Sequence, residues 1–176
     1  MSEGTQNNNP QPTGSAPSAK PAGIVAAAAS PVEILSPPNP LAHLALPFQG
    51  AVFDLRGYHA AASLNSDQVV SAAELLDKEG FALDTITGVD WLAEGQMEVV
   101  YDYFHPVTGL RALIRSRVPR EKPELPTISS VFPGADWHER EAHDFFGIRF
   151  VGHPDLTPFL LPEDATYHPL RKDFTS

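Results

Sequence analysis

Between Trp137 and Phe150 the chain reads WHEREAHDFFGIRF, which gathers two His, two Glu, an Arg and an Asp between Trp137 and Asp144. Residues of these types can ligate a metal or act as general acid and base. A zincin helix needs H-E-x-x-H, with two His four apart on one helical face, whereas His138 and His143 are five apart. No further ligand follows at a recognisable spacing, so a metal site is not expected. A nucleophilic triad is not expected either: there is no G-x-S-x-G, and the chain has no cysteine. That leaves a hydrolase built from Glu139, Glu141 and His143 as the remaining catalytic reading, against one in which the charges serve packing and surface.

The element that must position these residues is a helix stopped by Gly147. Counted at about 100° per residue from Trp137, Phe145 falls at about 80°, Ala142 at about 140° and Phe146 at about 180°. Arg140, Asp144, Glu139 and His143 take the other half. Glu139 with His143 and Arg140 with Asp144 stand at (i, i+4), where helical side chains meet. On the same count Glu141 falls at about 40°, inside the apolar arc, where a carboxylate is costly without a cation. The expectation is that Glu141 is shielded and paired, with Arg171 the nearest candidate, while Glu139 lies on the wet face.

Length and composition limit what such a helix can belong to. With 176 residues the chain has room for one domain with a core. A net charge of −10 argues against a nucleic-acid partner. The absence of cysteine excludes a disulfide, a thiolate zinc site and a cysteine-ligated iron–sulfur cluster in this chain. Residues 1–40 are rich in Pro, Ser, Asn and Ala and read as a disordered tail. The apolar run AGIVAAAA is far shorter than the roughly 20 residues that span a bilayer. It makes a poor signal peptide, and the absence of Arg before Arg56 argues against a transit peptide. A cytoplasmic chain is expected.

From residue 41 the pattern becomes globular. AVFDL, 51–55, reads as a short strand. NSDQVVSAAELLDKEG carries Asn65 or Ser66 as N-cap, Val69, Val70, Ala73 and Leu76 at helical spacing and Gly80 beyond the end. FALDTITGVDWL reads as a strand ending near Asp90. MEVVYDYF and LRALIRSRV alternate with period two around HPVTG and predict a β-hairpin. TISSVF reads as one more strand before Pro133 and Gly134 break the chain. The result is a two-layer α+β domain over 41–176, a mixed β-sheet with helices packed on it. Arg111, Arg115 and Arg117 share a strand face with Leu113. They either pair across the hairpin with Glu98 and Asp102 or form a basic strip for an acidic partner.

EREAHDFFGIRFVGHPDL, 139–156, followed by HPLRKDF, 168–174, resembles the signature of the thirty-kilodalton (C) subunit of respiratory complex I, NADH:quinone oxidoreductase. The same module occurs in membrane-bound energy-converting nickel–iron hydrogenases and formate hydrogenlyases. The resemblance implies that Trp137, Glu139, Arg140, Glu141, Asp144, Phe145, Gly147, His153 and Pro154, with His168, Pro169, Leu170, Arg171, Lys172 and Asp173, are signature and partner-docking residues. It implies no catalytic, cofactor or metal residue in this chain; iron–sulfur clusters, flavin or a nickel–iron centre would sit in partner subunits.

The implied partners are the forty-nine-kilodalton-type large subunit and a neighbouring iron–sulfur subunit, with the chain peripheral on the cytoplasmic face of the inner membrane. Three departures lean toward the hydrogenase-like branch. Thr157–Pro158 replaces the usual Arg–Arg or Arg–Pro, Tyr167 replaces a Gly, and His143 replaces a Tyr.

Overall fold

The computed structural model describes residues 37–175. The tail expected over the first forty residues lies, for 1–36, outside the described residues. Asn39 organises the entry to the domain: its amide donates to the Phe48 carbonyl at 2.7 Å and its Oδ1 accepts from the Leu41 N–H at 3.0 Å.

The elements follow in the order β1 (Gln49–Gly50), α1 (Phe53–Arg56), β2 (Ala60–Leu64), α2 (Val69–Lys78), β3 (Ala82–Trp91), β4 (Gln96–Phe104), β5 (Arg111–Pro119), β6 (Glu124–Pro126), α3 (Ala135–Phe146) and β7 (Arg149–Val151). Five strands form one sheet in the order β1-β2-β5-β4-β3. The β2–β5 pairing is parallel and its other pairings are antiparallel, so the sheet is mixed. A separate parallel pair joins β6 to β7.

Period-two alternation decides which side of the sheet is dry. On β4, Met97, Val99, Tyr101 and Tyr103 are fully buried, and opposite them on β5 stand Val118, Ser116, Ile114 and Ala112. Val69, Ala72, Ala73 and Leu76 of α2 and Ala135 and Ala142 of α3 join the same core. The molecule is therefore α+β, with helices on one face of a sheet whose other face is open.

Caps and turns explain the element ends. Asn65 and Gln68 form a reciprocal capping box ahead of α2. The β4–β5 hairpin closes through His105–Gly109, as the sequence pattern predicts. Two expected strands are not strands. Residues 53–56, which overlap the end of AVFDL, form one helical turn with Leu55 80% exposed, since a run this short has no neighbouring strand to bury against. The TISSVF segment makes turns, with the Val131 and Phe132 N–H groups both donating to the Ile128 carbonyl; the strand lies just before it, at β6. No helix among the described residues is long and apolar enough to cross a membrane.

Candidate docking site around the closing segment

Helix α3 runs from Ala135 to Phe146 and ends on Gly147, whose φ of 72° lies in the left-handed region. A Cβ there would stand 2.5 Å from His168 Nε2 and 2.6 Å from an Arg171 guanidinium nitrogen. Glycine thus both turns the chain and lets the closing segment approach the helix end. A second glycine seats the helix on the sheet: a Cβ on Gly88 of β3 would lie 2.5 Å from the Phe146 ring.

The helix is rotated by roughly 80° from the orientation its apolar arc predicts. Glu139, expected on the wet face, is fully buried, and Glu141, expected to be shielded, is exposed. Trp137 is 58% exposed, lying against Phe159 with Arg140 over its ring. Trp137 and Phe145 had pulled the expected buried face toward themselves. The helix instead turns Ala135, Glu139, Ala142 and Phe146 inward, because the segment at Thr127–Ile128 offers Glu139 the donors it needs. Glu139 Oε1 accepts from the Ile128 N–H at 2.8 Å, and Oε2 accepts from the Thr127 hydroxyl. Burial pushes its pKa up to about 7 against these two hydrogen bonds.

His153, whose side chain is sealed, faces the same carboxylate with Nε2 at 3.8 Å from Oε2. Its Nδ1 accepts from the Asp155 N–H at 3.1 Å, which leaves Nε2 as the protonated nitrogen, directed at the Asp136 carbonyl at 3.3 Å. The buried carboxylate therefore has a hydroxyl, a backbone N–H and an imidazole around it rather than the cation expected for Glu141.

The far side of α3 holds the chain after β7. Asp144 Oδ2 accepts from three successive backbone N–H groups, Phe159 at 3.1 Å, Leu160 at 2.9 Å and Leu161 at 3.3 Å. Arg140 does not pair with Asp144; it donates to the Thr157 carbonyl at 3.2 and 3.0 Å. His143 turns Nδ1 to the Ile148 carbonyl at 2.9 Å, and His168 turns Nδ1 to the Asp144 carbonyl at 2.9 Å. Leu170 N–H donates to the Phe145 carbonyl, and Arg171 Nε donates to the Phe146 carbonyl at 2.7 Å. Arg171 thus caps the helix C-terminus, where a cation also meets the negative end of the dipole; it does not pair with Glu141. Pro169 is half-buried, while Pro154 is exposed.

The last turn is fastened to the sheet. Arg120 clasps the buried Asp90 at 2.8 and 3.0 Å and reaches Asp173 at 2.5 Å. The Lys172 N–H reaches the same Asp90 at 2.8 Å. The Arg120 guanidinium holds both carboxyls below the usual range. Asp90, Thr127 and Ile128 are residues that sequence reasoning passed over. Asp90 was findable, because it shares the inward parity of Ile86 and Gly88 on β3.

The three residues of the hydrolase reading do not form a reactive group. Glu139 is sealed, Glu141 faces out, and His143 is engaged with a backbone carbonyl. The signature residues instead lash the segment 149–174 across α3, and that segment carries exposed apolar side chains: Phe159, Leu160, Tyr167, Leu170 and Phe174, beside Trp137. On the open sheet face, Arg111 pairs with Asp102 and Asp84, and Arg115 and Arg117 pair with Glu98. The arginines are paired across the hairpin rather than left as a free basic strip.

Comparison with known proteins identifies the family. Residues 62–176 match the family model described as respiratory-chain NADH dehydrogenase, 30 Kd subunit. The chain is 39% identical over 112 residues to the C subunit of NADH-quinone oxidoreductase from Moorella thermoacetica, covering 62% of this chain and 75% of that one. It is 40% identical over 96 residues to the C subunit of F(420)H(2) dehydrogenase from Methanosarcina mazei, covering 52% and 59%. The fold is similar to a chain in the structure of the membrane-bound sulfane sulfur reductase (MBS), an archaeal respiratory membrane complex, with a TM-score of 0.65, 30% identity and coverage of 73% of this chain and 77% of that one. Among the first curated relatives the match spans from 18% to 75% of their length. The match over residues 62–176 places this chain in the respiratory-chain NADH dehydrogenase 30 Kd subunit family.

Proposed function

We propose that the chain is a non-redox positioning subunit of an NADH:quinone oxidoreductase-type complex, packing on its forty-nine-kilodalton-type large subunit beside an iron–sulfur subunit. The observation that carries this reading is how its signature residues are used. Asp144, His153, His168 and Arg171 are engaged in holding the closing segment, while Glu139 fixes α3 to Thr127–Ile128, and what the closing segment holds outward is apolar: Leu160 is 50% and Leu170 51% exposed. An apolar surface built on fixed backbone is a docking surface. Electron transfer would run through cofactors of neighbouring subunits, with this chain peripheral on the cytoplasmic face of the membrane.

The relatives carry different electron donors in their names, NADH in one and F(420)H(2) in another. The module is thus not tied to one electron donor. A hydrogenase-related complex is the second reading, favoured by Thr157–Pro158.

The test is to purify the tagged chain from solubilised membranes. The large subunit and an iron–sulfur subunit should co-purify with it, and Leu160→Glu combined with Leu170→Glu should abolish recovery of both without lowering the chain's melting temperature. Recovery of the chain alone would overturn the reading.

A further inference from the structure

Strand β3 is an edge. Nine of its ten residues pair with β4 on one side, and no strand among the described residues pairs with the other. An edge of this length presents a row of free backbone N–H and C=O groups, which proteins normally blunt with Lys, Pro or a bulge. The stretch from Thr85 to Trp91, TITGVDW, has neither Lys nor Pro, and the bulge lies before it, between Leu83 and Thr85. Its one charged residue, Asp90, is turned inward onto Arg120 and protects only the end of the strand, which leaves Thr85–Val89 without such a device. The side chains that face out, Thr87 and Trp91, are uncharged.

Beside this edge runs a groove of about 160 Å³ between β3 and α3. Ile86, Ala142, Phe145 and Phe146 give it an apolar lining, and Glu141 stands among the residues around it. Glu141 has no ion-pair partner among the described residues, and the guanidinium of Arg171, its expected partner, is engaged with the Phe146 carbonyl. The groove thus offers an unpaired backbone edge, an apolar slot and one unmatched negative charge side by side.

We infer that β3 receives an extended segment of a partner subunit as an added strand. That segment places an aliphatic or aromatic side chain in the groove and a Lys or Arg against Glu141. The pattern is that of strand addition, in which main-chain hydrogen bonds give affinity and alternate side chains give specificity. The charge of the occupant follows from Glu141, and its extended form follows from the free edge. The inference rests on the reading that the chain docks in a larger complex, and it adds which part of the surface is used and what shape the partner brings.

The test compares the full chain alone with the chain in the complex purified from membranes. Amide hydrogen exchange on β3 should slow in the complex at every other residue between Thr85 and Trp91, while the amides of β4 stay unchanged. A photo-crosslinker placed at Thr87 should join one extended segment of a partner that contains a Lys or Arg. Glu141→Lys should cut recovery of the partner by about ten-fold, as like charges across an interface repel, with the melting temperature of the chain unchanged. Reversing the charge of the crosslinked Lys or Arg should restore recovery. A complex that assembles with β3 exchange unaltered would overturn the inference and leave the docking reading standing. A crosslink to a second copy of this chain would also overturn it, and a chain recovered alone would overturn both.

Discussion

Two regions of this molecule bury or half-bury carboxylates, and they do so by different means. On the open sheet face, Glu98 and Asp102 are met by arginines across the hairpin, at 3.1 Å from Arg117 and 2.9 Å from Arg111. Around α3, Glu139 and Asp144 are met by backbone N–H groups of the segments they hold. A guanidinium on a long stem can follow its partner, so an open-face pair tolerates movement and is screened by salt. A backbone N–H cannot follow without moving the chain. Carboxylates of the second kind therefore fix a path for the backbone, which is what a segment presenting a docking surface requires.

The most sensitive point in this contrast is where the two means combine, at Asp90. Its side chain is sealed and takes both the Arg120 fork and the Lys172 N–H, so the pair joins the sheet to the last turn. Arg120→Ala would leave a buried charge with one donor, costing about 3 kcal/mol, and would free the closing residues. Chemical denaturation of the isolated chain measures the loss, and proteolysis should then cut first after Leu170. An unchanged midpoint would show that the backbone N–H alone suffices. Because Arg120 holds Asp90 below its ordinary 3.8, this contribution is present above about pH 4 and is lost on acidification.

Glu139 has the opposite sign. An unfolded glutamate gives up its proton near 4.5, whereas the sealed carboxyl keeps it up to about 7. The folded state binds the extra proton in that window, so stability falls as pH rises from about 4.5 to 7, by about 3 kcal/mol in all. Unfolding measured between pH 5 and 8 should show this slope, and Glu139→Gln should flatten it, since the amide can still accept from Ile128 and meet the Thr127 oxygen. Glu141→Gln, on the exposed side, should leave the slope as it is. Equal effects from the two variants would put the helix back in the orientation its apolar arc predicts.

That mistaken orientation shows what sequence pattern can and cannot carry here. The β4–β5 hairpin and α2 were legible because their signals are local: alternation around a five-residue turn, and an N-cap residue before a helical stripe. The family motif was legible because its residues stand in sequence. Strand β2, AAASL, was not, since four small residues and a leucine become a strand only through the parallel partner β5, far along the chain. Glu139 was misplaced for a similar reason. Its donors come from Thr127 and Ile128 and its neighbouring imidazole from His153, none of which lies on the helix, and no helical projection contains them.

Gly147 tests the fit of the closing segment with a smaller change. Ala there must adopt a left-handed conformation and push aside the His168 ring and the Arg171 guanidinium. A cost of about 1 to 3 kcal/mol is expected, together with loss of the Arg171 bond to the Phe146 carbonyl. Gly109, at φ 71° in the hairpin turn, meets nothing within 4 Å, so Gly109→Ala isolates the backbone cost alone. The difference in melting temperature between the two variants measures the close approach, and no difference would mean that His168 and Arg171 yield freely.

The smallest effect is expected on the open face. Arg115 is about one-third exposed and stands 3.7 Å from Glu98, which keeps Arg117 at 3.1 Å and the Trp91 indole N–H at 3.2 Å. Arg115→Ala removes the weaker of two cations from a carboxylate that remains satisfied, so the loss should stay below about 1 kcal/mol. Raising salt should shrink even that difference, because the Arg115 guanidinium reaches solvent while Glu98 is buried, and a charge that reaches solvent is screened over about 10 Å at 0.1 M. The Arg120→Ala deficit should persist in the same salt, since Asp90 is sealed. If Arg115→Ala proved as damaging as Arg120→Ala, or if its effect ignored salt, the open face would be a second structural anchor, and the division between paired and backbone-held carboxylates would fail.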